Sequence, residues 1–402
     1  MPRTRRDRLL EVLDGVETFG VSLLLLGLTW SEATKSLGLA IAVVGLLARL
    51  AVGGRVALAP KWTHLWLGFY FCVAGVSLAL ASGHLSGPKE LLMLGMTIAA
   101  FPLVADLCGR SPSRRVLLAF VIIAGAGIGA VLGYFEHMAG PYNRLALPSI
   151  ENAIPAGEYL AAVVAFAVGV LFAEIASTTV GPLLGFCAGA CAIALLMTKS
   201  RGPFLGAAAG VLSAGAISLR RRWIVPAAAL VLVAAVTLFW MLNPDSRIVR
   251  EGVVHSRSAA NRVRTWEMSL DRFAERPVVG HGVGSFPLLG IRVVDELGVE
   301  WEQNAHNVVL HSLVETGLAG TAALVCFLAL GLRDVVRALR RRGWKHHRAI
   351  TAGSLAGAVA LLVSGVFSVS VDAEPGILLF ALLALGASGD ARPADPARVN
   401  DD

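Results

Sequence analysis

The sequence predicts an all-α polytopic membrane protein of about twelve transmembrane helices with one large loop outside the membrane. Composition is the first observation behind this. Hydrophobic residues make up 56% of the 402 residues and charged ones only 16%, against about 25% charged in soluble domains. Mean hydropathy is +0.69. The second is that apolar runs able to cross about 30 Å of hydrocarbon recur along most of the chain. The third is that segments such as 116–134 and 226–242 are apolar on every face, where a soluble helix would keep a polar stripe.

In chain order the spans run over roughly 16–30, 35–52, 62–82, 89–108, 115–137, 154–174, 180–197, 203–219, 223–242, 308–332, 349–371 and 375–389. Arg3, Arg5, Arg6 and Arg8 precede the first of them, as in a signal peptide. No convincing cleavage site follows and many spans come after, so this segment reads as the first anchor. With the N-terminus inside, 22 Lys and Arg fall in inside segments and five (Lys35, Lys89, Arg144, Lys199, Arg201) in short outside loops. That asymmetry orients the chain with both termini in the cytoplasm. The same placement explains the net charge of +7 without nucleic acid as a partner. The chain thus divides into nine spans over 1–242, an outside loop over 243–307, three spans over 308–389 and a polar tail over 390–402. The loop carries eight basic and nine acidic residues and none of the five cysteines, so no disulfide staples it. Cys187 and Cys191, one helical turn apart, read as packing residues.

Ionisable groups gather at the outer lip, where spans meet the long loop. In Thr198-Lys-Ser-Arg-Gly-Pro203, Ser200 suits an N-cap and Pro203 the first turn of a helix. Lys199 and Arg201 then sit at a helix end that is already partly positive. An anion would relieve that conflict, because free N–H groups and a guanidinium make a phosphate site; snorkelling to the interface is the plainer alternative. From Asn261 to Glu275, Val263, Trp266, Leu270 and Phe273 form an apolar stripe on a helix suited to the headgroup level. Its start again carries cations, Arg262 and Arg264, so the two sites together suggest a diphosphate clamp. Gly280, Gly282 and Gly284 lack a βαβ context and read as a backbone turn. His306, in Glu302-Gln-Asn-Ala-His-Asn307, stands at the lip of the tenth span, as a helix cap or as a general base: a neutral imidazole there can take a proton from a sugar hydroxyl. His311 and Glu315 read as a buried pair within the bundle.

These pieces together resemble the O-antigen ligase and polymerase superfamily of bacterial membrane glycosyltransferases. The resemblance rests on the twelve-span layout with its late loop and on Lys199-Ser-Arg-Gly202, Arg262-Val-Arg-Thr-Trp266 and Pro277-Val-Val-Gly-His-Gly-Val-Gly-Ser-Phe286. Ala305-His-Asn307 and Glu315-Thr-Gly-Leu-Ala-Gly320 complete it, while Arg144-Leu, Asn152 and Gly157-Glu-Tyr-Leu160 match more loosely. It implies a GT-C-like fold in the bacterial inner membrane, among its lipids, with the site facing the periplasm and no metal, nucleotide sugar or other cofactor. The donor implied is an O-antigen glycan on undecaprenyl diphosphate, and the acceptor is the lipid A core oligosaccharide. His306 resembles the family's essential histidine, and Arg201 and Arg262 its diphosphate-binding arginines. Arg264 and Lys199 join them on electrostatic grounds and Arg144 through the looser match, with Trp266, Gln303 and Asn307 in support. The nearest rival is an O-antigen polymerase using the same donor. A flippase should show broken helices and mid-depth charges, and a metal enzyme built on Asp295, Glu296, Glu300 and Glu302 would lack a suitably spaced histidine.

Overall fold

The computed structural model describes residues 4–57, 61–81, 87–140, 144–171, 181–217, 257–295, 298–301, 304–341, 345–369 and 373–388. Helices α1 (Arg5–Gly27), α2 (Glu32–Ala51), α3 (Lys61–Leu80), α4 (Gly87–Arg110), α5 (Pro112–Ala139), α6 (Ala153–Val170), α7 (Gly181–Met197) and α8 (Arg201–Ile217) come first. Then follow α9 (Arg257–Glu275), a 3-10 turn (Phe286–Leu288), α10 (Val308–Arg340), α11 (Lys345–Gly365) and α12 (Ala373–Ala387). Each expected span except 223–242, which lies outside the described residues, coincides with a helix. Seven of the described helices are long and apolar enough to cross a membrane. Among the described residues the non-helical element is a hairpin: strands β1 (Arg292–Asp295) and β2 (Gly298–Trp301) pair antiparallel within the long loop.

Large apolar side chains on α4, α5, α6, α11 and α12 are fully buried, among them Phe101, Ile122, Phe166 and Phe380. Many on α2, α3 and α7, such as Val44, Leu65 and Phe186, are exposed, as a lipid-facing surface requires. The expected packing role of Cys187 holds: a Cβ at Gly127 would lie 2.8 Å from Cys187 Cβ, so α5 and α7 touch through that glycine.

The charge map differs from the sequence expectation at one end. Besides the loop-bearing lip, a buried network joins Glu17 of α1, Arg49 of α2, and Asp106 and Arg110 of α4 at the opposite end. Arg49 Nε lies 3.0 Å from Glu17, and Arg110 Nη2 lies 2.7 Å from Glu17 and 2.9 Å from Asp106. Asp106 and Arg110 are one turn apart on α4, whereas Glu17 and Arg49 reach them only through helix packing. Mutual pairing is what lets them stay buried.

Helix α10 is broken at Gly317, whose φ is 66° and ψ −168°. The break removes the bonds that N–H groups 318 and 319 would give to carbonyls 314 and 315. Residues 277–282 replace them all: His281 N–H donates to the Val314 carbonyl (2.9 Å) and Gly282 N–H to that of Glu315 (2.9 Å). In return Leu318 N–H donates to Pro277 (2.8 Å) and Ala319 N–H to Val278 (3.2 Å). Ser77 of α3 adds a hydroxyl bond to the Glu315 carbonyl at 2.7 Å. Backbone approach this close needs glycine on both sides. A Cβ at Gly280 would strike the Glu315 carbonyl, and one at Gly317 the Val278 carbonyl.

Gly317→Ala should therefore lower thermal stability in detergent markedly, since the positive φ alone costs about 1–3 kcal/mol before any collision. Gly185→Ala, with nothing within 4 Å of its added Cβ, should leave the unfolding temperature unchanged. Equal midpoints for the two variants would contradict the docking.

Candidate functional site

The end of the bundle that carries the long loop gathers most of the residues singled out by sequence. Arg144, in the loop before α6, brackets the turn ahead of α8. Its Nε donates to the Thr198 carbonyl at 2.9 Å and its Nη2 to Ser200 Oγ at 2.6 Å. Desolvation draws the Arg144 guanidinium down from its ordinary pKa. The Ser200 hydroxyl in turn reaches the Ala153 carbonyl at 3.3 Å, at the start of α6. Lys199 is held at φ +52°, and Arg201 is the first residue of α8, so both cations stand where the helix presents its free N–H groups. A Cβ on Gly157 of α6 would lie 3.0 Å from Pro203, which shows how tightly α6 and the start of α8 meet.

His306 occupies an analogous place before α10. It too is a non-glycine residue in the left-handed region, with φ +47°; its N–H donates to Asn304 Oδ1 at 2.9 Å. Backbone strain of this kind persists only where surrounding contacts impose it. The following Asn307 supplies them, accepting from Val309 and Leu310 N–H at 3.0 Å as the N-cap and donating from Nδ2 to the Val366 carbonyl at 3.1 Å. On the other flank, Trp266 Nε1 donates to the Ala305 carbonyl at 3.0 Å. Helix α9 is thereby tied to the residue next to His306.

One turn links the two sites. Val366 and Phe367, at the end of α11, accept Asn307 on one side and pack on Gly202 on the other, where an added Cβ would lie 3.3 Å from Phe367 Cβ. The Lys199–Arg201 turn and the His306 turn therefore share a neighbour. Ser368 next in sequence bonds the buried Glu158 of α6.

Helix α9 is placed differently from expectation in two respects. It begins at Arg257, a turn earlier than Asn261, so Arg262 and Arg264 lie within the helix and not at its N-terminal N–H groups. Arg262 stands one turn before Trp266 on the face that meets Ala305, whereas Arg264, about 200° around the helix from both, is exposed. The buried face is formed by Thr265 and Ser269, whose hydroxyls bond carbonyls within the helix, and by Trp266, Met268 and Phe273, half-buried. Val263 and Leu270 of the expected stripe are exposed. Gln303 lies outside the described residues. The three glycines form the expected backbone turn, with φ of 72°, 101° and 75°.

Sequence reading did not single out a cavity of about 380 Å³ beside the His306 turn, between α3, α4 and α10. His311 and Glu315 are paired as expected, at 3.5 Å, but they also line this cavity with Glu90 of α4. Glu90 reads in sequence as an ordinary first-turn carboxylate, and nothing there points to α10.

Fold and site define a multipass helical membrane protein with cations and a strained histidine gathered at one end of its bundle. A family model described as O-antigen ligase matches residues 186–325, which include every expected site residue except Arg144. The match supports the O-antigen ligase family for this chain, and with it ligase- or polymerase-type glycan transfer in general. No curated protein matches the chain.

Trp266→Phe keeps an aromatic ring but deletes the bond to Ala305. A typical hydrogen bond contributes about 0.5–1.5 kcal/mol, so α9 should detach more often, and limited proteolysis between 257 and 307 should accelerate severalfold. Wild-type cleavage rates would show that the bond does not hold α9.

Proposed function

We propose that the protein is an O-antigen ligase that transfers a glycan from undecaprenyl diphosphate to the lipid A core oligosaccharide, with inversion and without a metal. In this reading it is a GT-C-like protein of twelve spans in the bacterial inner membrane. Both termini face the cytoplasm, and loop 243–307 and the site face the periplasm. The observation that carries it is the shared neighbour of the two rim turns, Val366–Phe367, which joins the start of α8 to the start of α10; both helix starts lie within the family-matched residues 186–325.

The chemistry then assigns itself by type. Arg201 and Arg262 hold the diphosphate, with Lys199, Arg144 and Arg264 adding positive potential. His306 accepts the proton of the acceptor hydroxyl, whose oxygen forms the new bond to the anomeric carbon. The bond from that carbon to the diphosphate oxygen breaks on the opposite face, and the departing undecaprenyl diphosphate keeps the electron pair. Its charge is what the guanidinium groups stabilise. Trp266 and Asn307 brace the turn that carries the histidine. No covalent glycosyl-enzyme is required.

His306→Ala should abolish transfer in proteoliposomes, by at least the 10²–10⁴-fold typical of a general base, with unchanged thermal unfolding; near-normal turnover would remove its role. Arg201→Gln and Arg262→Gln should each weaken donor use about tenfold or more, in line with about 1.5–3 kcal/mol for a charged hydrogen bond. Unchanged donor affinity would count against the clamp. In a deletion strain, full-length chains left on the carrier beside bare core would mark a ligase, whereas core capped with one repeat unit would mark a polymerase.

A further inference from the structure

The cavity beside the His306 turn has a composition unlike the rim. Along α10, Val308, His311, Ser312 and Glu315 face it on one side of the helix, and α4 contributes Glu90 and, two turns deeper, Thr97. Among the described residues no Lys or Arg lines it, so a phosphate or diphosphate entering it would meet two carboxylates and neither of these cations. Hydroxyl groups are the complementary chemistry, since an ionised carboxylate only accepts hydrogen bonds. Its volume of about 380 Å³ lies within the range of small-ligand pockets, about 300–1,000 Å³.

The carboxylates are held from behind. Glu315 Oε1 accepts the Phe286 N–H at 3.3 Å and Oε2 lies 3.5 Å from His311 Nε2. The glycine turn packs on Glu90: an added Cβ at Gly284 would lie 2.5 Å from Glu90 Cγ. The turn that mends the break in α10 therefore also forms the cavity wall. Asn304 and Val308, which bracket His306 in sequence, both line the space, while Arg144, Lys199, Arg201, Arg262 and Arg264 do not. A ligand here would reach the His306 segment from a side that none of these cations lines.

We propose that this cavity is an acceptor subsite. It takes one hydroxyl-rich sugar of the core oligosaccharide, with Glu90 and Glu315 accepting hydrogen bonds from its hydroxyls, and leaves a neighbouring hydroxyl beside His306. The assignment rests on the ligase reading above. Glu90 and Glu315 then select among acceptors and take no part in holding the donor.

Two conservative variants test it in proteoliposomes. Glu90→Gln keeps helix propensity and size while weakening hydroxyl binding. Thr97→Leu fills part of the space at a residue whose hydroxyl bonds its own helix, to the Met93 carbonyl at 3.1 Å. Both should raise the KM for lipid A core oligosaccharide about tenfold at saturating lipid-linked donor, equivalent to about 1.4 kcal/mol, with donor KM within twofold of wild type. Calorimetric titration of the purified protein with core oligosaccharide released from lipid A should show the same loss of affinity without turnover. Acceptor KM and binding unchanged in both variants, with wild type active, would overturn the subsite and leave the ligase reading standing. Wild type that transfers nothing yet binds the oligosaccharide, with weaker binding in both variants, would overturn the ligase reading and keep a sugar site. A wild type that binds no oligosaccharide would overturn the subsite outright.

Discussion

The rim depends on how the chain mends a broken helix. Inside a bundle surrounded by hydrocarbon an unsatisfied peptide group costs several kcal/mol, so α10 cannot bend at Gly317 unless something else takes up the N–H and carbonyl groups the bend releases. Residues 277–282 do so pair by pair. The repair also positions chemistry. The inserted segment carries His281, whose Nε2 lies 2.7 Å from the Arg272 carbonyl near the end of α9, and α9 reaches the His306 turn through Trp266. One backbone accommodation thus couples α3, α9 and both halves of α10.

Strain is concentrated where the chemistry is proposed. Lys199 and His306 each adopt a left-handed conformation immediately before a residue that opens a helix, and each is braced from two sides. Arg144 and Ala153 hold the first turn; Trp266 and Val366 hold the second. A freely moving loop would relax such residues to negative φ. The bracing shows that both turns are held by the packing around them, the condition for a site kept in place without a ligand to order it.

Charge is sorted by location. At the rim, cations cluster at the start of α8 and along α9; beside them the cavity carries carboxylates and an imidazole; at the far end of the bundle, Glu17, Arg49, Asp106 and Arg110 neutralise one another. The division between a cationic rim and an acidic cavity suits the proposed reaction, in which an anionic diphosphate leaves as its glycan is joined to a hydroxyl-rich acceptor, because each would be repelled or left unsolvated in the other's place.

The helices were legible in the sequence because lipid imposes a pattern on composition: a span must be largely apolar over its length. His306, Arg201, Arg262 and Trp266 stand out as candidates because short local motifs carry them. Three things needed the tertiary structure. The start of α9 at Arg257 removed Arg262 and Arg264 from a helix end, since the amphipathic stripe marks a face and says little about where a helix begins. The glycine turn could be read as a turn but not as the partner of Gly317, because backbone pairing leaves no side-chain signature at either place. Glu90 acquires meaning only beside His311 and Glu315, more than 200 residues later in the chain, where packing and not local sequence brings carboxylates to a common space. Hydrophobic periodicity is a property of neighbours along the chain, and a binding cavity is a property of neighbours across it.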